Sequence, residues 1–99
     1  MAGFVQIIEI QTSRIDEVIA LTDEMRARAS EESTVRRSTY TRDTDRGGYY
    51  MAIIEFDSYE SAMQNSNRPE TGDFAARMAK LCDAPPRFYN LEVLQTYQP

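Results

Sequence analysis

Polar side chains stand at four places inside strongly apolar stretches. Gln6 and Glu9 interrupt Phe4-Val5-Gln6-Ile7-Ile8-Glu9-Ile10, Glu55 falls near the end of Tyr49 to Phe56, and Asn90 follows Phe88-Tyr89. A polar group in such a setting needs a hydrogen-bonding partner or water. Two arrangements meet that need. One is a structural network in which arginines pair with the carboxylates. The other is a pocket lined with oriented amides and a carboxylate, as small-molecule sites are built. In the pocket reading, a carboxylate or amide steers a deprotonation, with Glu55 the candidate, and an Arg or Tyr stabilises the anion that results, with Tyr40 the candidate. Gln6 and Asn90 bind the ligand, while Met25, Met63 and Phe74 form adaptable apolar walls. Core filling is the competing role for the methionines and for most of the six tyrosines.

The absences exclude much chemistry. The chain has no His, no Trp and a single cysteine, Cys82. It therefore has no Ser-His-Asp triad, no Cys-His pair, no imidazole metal ligand and no intrachain disulfide. Asp43-x-Asp45 with Gly48 has the start of a calcium loop but Ile54 at its twelfth position, so it reads as a turn. No metal and no cofactor are expected. Cys82 reads as a small packing residue near a helix end, and the cysteine usage predicts a cytoplasmic protein.

The net charge of −5 argues against nucleic acid as a partner. No apolar run approaches the ~20 residues of a membrane span, and the N-terminal residues lack the basic start and apolar core expected of a signal peptide. Ten of the eleven basic residues are Arg, and Arg36, Arg37 and Arg42 share a stretch without acids. Such a stretch offers planar, bidentate anion recognition.

The elements that must position these residues follow from periodicity. Phe4–Ile10 is β-branched and apolar, and predicts a strand. Ser13 has the type of an N-cap, and Ile15, Val18, Ile19, Thr22, Met25 and Ala29 follow with helical spacing, predicting a helix over 14–31. Strands are predicted over Thr34–Arg42, Tyr49–Phe56 and Phe88–Thr96, the first two joined by an Asp- and Gly-containing turn. Asp57 to Glu60 has the form of a capping box before a short helix through Met63. The polar stretch Asn65 to Asp73 reads as a break that forms a cavity mouth, with Pro69 suited to open the next helix. Phe74, Met78 and Leu81 carry that helix until Pro85-Pro86 ends it.

The order β-α-β-β-α-β, with a split second helix, is the ferredoxin-like unit. Its fold class is α+β: a four-stranded antiparallel sheet with helices on one face. Residues 1–99 form a single domain in this reading. From the size scaling, a monomer of 11.4 kDa should expose roughly 5,800 Å². Strands 1, 3 and 4 carry apolar residues on both faces, yet the helices cover one. The second face should meet another copy of the chain, giving a homodimer through the sheet faces.

A paired ferredoxin-like unit of this kind resembles the dimeric α+β barrel superfamily, and most of all its antibiotic-biosynthesis monooxygenase group. The local motif is a strand ending in Glu, then Ser and an Ala-Met pair opening a helix. It reads Glu55-Phe56-Asp57-Ser58-Tyr59-Glu60-Ser61-Ala62-Met63-Gln64-Asn65-Ser66. Asp57 stands where relatives often carry Trp, and Ser66 where they often carry His, so the haem chemistry of some relatives does not carry over. Gln6 occupies the place of a recurrent pocket amide. The resemblance implies a cofactor-independent monooxygenase acting on an aromatic phenol or quinol. A non-catalytic small-molecule binder or structural dimer is the alternative, and the sequence leaves both open.

Overall fold

A computed structural model describes residues 3–28 and 33–99. Seven elements follow one another: β1 (Phe4–Gln11), α1 (Ile15–Ala27), β2 (Arg37–Arg42), β3 (Tyr49–Phe56), α2 (Tyr59–Ser66), α3 (Pro69–Lys80) and β4 (Arg87–Glu92). The strands form one antiparallel sheet in the order β2-β3-β1-β4. The expected α+β ferredoxin-like architecture is present.

Several boundaries differ from expectation, each for a local reason. The buried Thr12, not Ser13, organises the start of α1, because its Oγ1 accepts from the Arg14 backbone N–H at 2.9 Å. Helix α1 then begins at Ile15, with Asp16 and Glu17 beside its positive end. The predicted end of this helix, at Ala29 to Glu31, lies outside the described residues. Strand β4 stops at Glu92 because its partner β1 begins at Phe4, the residue opposite. Strand β2 starts at Arg37 rather than Thr34, opposite Glu55 near the end of β3. Ser58, one residue beyond the expected position, caps α2: its side chain accepts from Ser61 N–H.

The predicted break from Asn65 to Asp73 is mostly helical. Only Asn67 and Arg68 separate α2 from α3, since Pro69 takes a first-turn position, where its missing N–H and fixed φ are no handicap. Glycine is required at Gly48, whose φ of 81° closes the β2–β3 turn. It is required again at Gly3, where a Cβ would collide with the Asp57 carbonyl.

Register decides which side chains share a face. Gln6 pairs with Ile54 and Asn90, and Val5 pairs with Glu55 and Leu91. Phe4, Gln6, Ile8 and Ile10 therefore face the helices, together with Tyr50, Ala52, Ile54 and Phe56. Val5, Ile7, Met51 and Ile53 lie on the other face with Glu9, Glu55, Tyr89 and Leu91. The main core joins Ile8, Ile10 and Ala52 to Val18 and Leu21 of α1 and Met78 of α3. A second cluster gathers Phe4, Phe56 and Ala62 under α2.

Candidate functional site

Between the helices and the sheet lies a cavity of about 410 Å³. Ile8, Ala52 and Ile54 form its sheet side, Leu21 and Met25 of α1 one wall, and Phe74 and Met78 of α3 another. This is a size and composition suited to a small organic ligand. The uncharged polar groups include Gln6, Thr22, Ser38, Tyr40, Asn65 and Ser66. Charged residues also line it, among them Glu24 of α1 and Arg77 of α3, which pair at 3.3 Å and link the two helices.

Gln6 is tied on two sides. Its Nε2 donates to Asn90 Oδ1 at 3.0 Å and to Ser66 Oγ at 3.3 Å. Both amide protons are thus engaged, and Oε1 is left as an acceptor. Asn90 itself sits exposed on β4 and holds Gln6 rather than forming a cavity wall. The Tyr40 and Thr22 hydroxyls lie 2.8 Å apart. Either hydroxyl can donate in this bond, and Thr22 Oγ1 also lies 3.0 Å from the Val18 carbonyl, to which it can donate. Burial raises the Tyr40 phenol above its ordinary value, with the Thr22 bond and the Arg26 charge opposing. At neutral pH Tyr40 is therefore a protonated, anchored phenol.

Sequence reasoning placed Glu55 in the same space, and this is corrected. In antiparallel register Glu55 opposes Val5, not Gln6, so it points from the opposite face of the sheet. There it meets Arg37 at 3.5 Å. Glu9 also lies on that face, accepting from Tyr89 Oη at 2.9 Å and meeting Arg46 at 3.4 Å. These two carboxylates have the arginine pairing of a structural network. Met63 is corrected as well: it packs with Phe4, Phe56 and Ala62, because α2 turns Asn65 and Ser66 toward the cavity instead. Met25, Phe74, Gln6 and Tyr40 do line one space. Thr22, Ser38, Asn65 and Ser66 are cavity residues that the sequence reading had not selected. Ala62 and Asn65, three apart on α2, carry the spacing of one inward face.

Cys82 is half-buried, bonds the Met78 carbonyl through Sγ at 3.3 Å, and has its thiol raised chiefly by burial. Among the described residues, no group of three Cys, Asp or Glu side chains is arranged to hold a metal, and no helix is long and apolar enough to cross a membrane.

The phenols give a pH prediction. Tyr40 is raised by burial, and Tyr89 is raised first by its bond to Glu9. A raised phenol binds its proton more tightly in the folded state. Its stability contribution is therefore complete below the unfolded value of about 10 and is lost as pH rises through the folded value. Absorbance titration at the tyrosinate band should show late-ionising phenols, and Tyr40→Phe should remove one such step.

No protein-family model matches the chain, and no curated protein matches it in sequence. Solved structures do match. A conserved protein from Methanosarcina mazei Go1 superposes with a TM-score of 0.77 at 10% identity, covering 93% of each chain. Rv0793 from Mycobacterium tuberculosis gives 0.72 at 20% identity, covering 97% of this chain and all of its own. A candidate antibiotic biosynthesis monooxygenase from Caulobacter crescentus CB15 gives 0.73 at 14% identity, covering 95% of this chain and 92% of its own. The chain has the fold of antibiotic-biosynthesis-monooxygenase-like proteins.

Proposed function

We propose that this protein is a homodimer that binds a planar aromatic phenol or quinol between sheet and helices and acts on it as a cofactor-independent monooxygenase. The observation that carries the reading is the 410 Å³ apolar cavity with its few oriented polar groups. In the reaction the substrate supplies the electrons. With a phenol or diol whose ring carbon opposite a hydroxyl bears hydrogen, one atom of dioxygen enters that carbon, the other leaves as water with the ring and hydroxyl hydrogens, and a quinone results. The chain's part is to exclude water, to hold the ring against Ile8, Ile54 and Phe74, and to engage the ligand oxygens with Gln6 and Tyr40.

The antibiotic biosynthesis monooxygenase name borne by fold relatives supports this direction. Glu55 has no role in it, since it faces away from the cavity. Without Glu55, none of the sheet residues lining the cavity is a carboxylate. The reactive ligands are then those acidic enough to ionise without a buried base. The same observation favours a second reading, a carrier that binds such molecules without oxidising them.

Titration calorimetry with 2-naphthol, alongside oxygen uptake with naphthalene-1,5-diol, separates the cases. The expected result is saturable binding in the micromolar range, weakened about tenfold in Gln6→Ala by loss of one oriented contact. Oxygen uptake above the spontaneous rate supports the enzyme, and binding without it supports the carrier. Absence of binding removes both.

A further inference from the structure

Asn65 is 7% exposed and lies along the cavity. Its side chain makes no hydrogen bond with any described residue, whereas Ser66 bonds Gln6, Gln6 bonds Asn90, and Thr22 bonds Tyr40. No polar side-chain atom of the described residues is both sealed from solvent and unbonded, so the Asn65 amide is open to the space it lines. Water can meet an amide placed this way, but a ligand that enters the cavity displaces that water and must replace its hydrogen bonds.

The geometry points to Asn65 as a ligand-recognition residue that selects an aromatic with adjacent donor and acceptor oxygens, as in an ortho-diphenol. This deepens the binding reading above and rests on it. A carboxamide presents an N–H donor and a carbonyl acceptor side by side in one plane. A ligand with one hydroxyl satisfies one half and leaves the other unpaired. Two hydroxyls on neighbouring ring carbons satisfy both, one accepting from Nδ2 and one donating to Oδ1. Ser66, the next residue, has a hydroxyl proton still to donate, and Gln6 has a free acceptor at Oε1. None of these three groups carries a charge, so the contacts they offer are those of neutral hydroxyls. Discrimination of this type is strong because the mismatched ligand strands a desolvated polar group.

The test compares naphthalene-2,3-diol with 2-naphthol by anaerobic titration calorimetry on wild type, Asn65→Leu and Asn65→Ala. The expected result is about tenfold tighter binding of the diol by wild type, from one additional satisfied hydrogen bond. In both variants the two probes bind alike, with the affinity for 2-naphthol kept within about twofold. Thermal melting should place Asn65→Leu close to wild type, because the substitution breaks no hydrogen bond with a described residue. Should Asn65→Leu fail to fold, Asn65→Ala carries the same comparison. Equal binding of both probes by wild type, or a diol preference that survives substitution, overturns the role of Asn65 and leaves the cavity reading standing. A fall in melting temperature beyond about 5 °C in both variants marks Asn65 as structural and overturns it too. If neither probe binds wild type, both readings fall.

Discussion

Ile53→Arg is expected to convert the protein into a monomer several kcal/mol less stable than the wild type. Ile53 lies on β3 between Ile7 of β1 and Thr39 of β2, on the face that no helix covers. Val5, Ile7, Met51 and Leu91 share that face, and Leu91 is 43% exposed. The chain has an accessible surface of 6,879 Å², against roughly 5,800 Å² for an ordinary monomer of its mass. The excess, on the order of 1,000 Å² per chain, matches the share that each partner would bring to an obligate interface of about 2,000 Å². A flattened outline of 34 × 32 × 20 Å agrees with one sheet face awaiting a partner.

An arginine at the centre of such an interface would be desolvated without a counter-charge, at a cost of about 3 kcal/mol or more. Because dimerisation is linked to folding, the unfolding midpoint should fall and become independent of concentration. Sedimentation velocity at micromolar concentration checks the assembly, and urea unfolding checks the stability. Ile19→Arg, at a 39% exposed site on α1, is the matched control and should remain dimeric. A wild type that itself sediments as a folded monomer would contradict the homodimer.

The two faces of each strand were legible in the sequence, because side chains alternate with a period of two. Phe4, Gln6 and Ile8 do share a face, and so do Met51, Ile53 and Glu55. What the sequence lacked was the register between strands. A slip of one residue exchanges the faces of a whole strand. Gln6 and Glu55 both interrupt apolar runs on neighbouring strands, yet β1 and β3 pair so that they point oppositely. Glu55 and Arg37 then become cross-strand partners, which no spacing of 18 residues announces. Asn65 was hidden for a different reason. It stands in the polar run Gln64-Asn65-Ser66-Asn67, where composition suggests solvent. Only the folding of α2 against the sheet turns it inward, and the weak sign was its three-residue spacing from the buried Ala62. Tyr40 lay within a recognisable strand, but its pairing with Thr22 needed α1 to pack over β2.

Ser38→Trp is expected to weaken phenol binding at least a hundredfold while leaving fold and assembly intact. Ser38 lies on edge strand β2, opposite Ile54, with its side chain on the helix-facing side and along the cavity. The half-buried position makes no side-chain hydrogen bond with a described residue, so substitution breaks no polar contact there. An indole at this position is itself a flat two-ring group, close in size to the proposed ligand. It would occupy much of the 410 Å³ and lie against Ile54 and Met25. Buried apolar area gained this way offsets strain from the larger side chain, and filling an existing void avoids the usual cost of overpacking. The outer sheet face is untouched, so the dimer should persist. Calorimetry with 2-naphthol reads the affinity, sedimentation the assembly, and melting the fold. Undiminished binding in a folded Ser38→Trp dimer would mean that the ligand sits elsewhere. Lost binding together with lost stability in Ser38→Trp, but not in the smaller Ser38→Val, would mean that the cavity is too tightly closed to admit two rings. A folded dimer that no longer binds would locate the ligand between β2, β3 and the helices, in the space that Gln6, Tyr40 and Asn65 share.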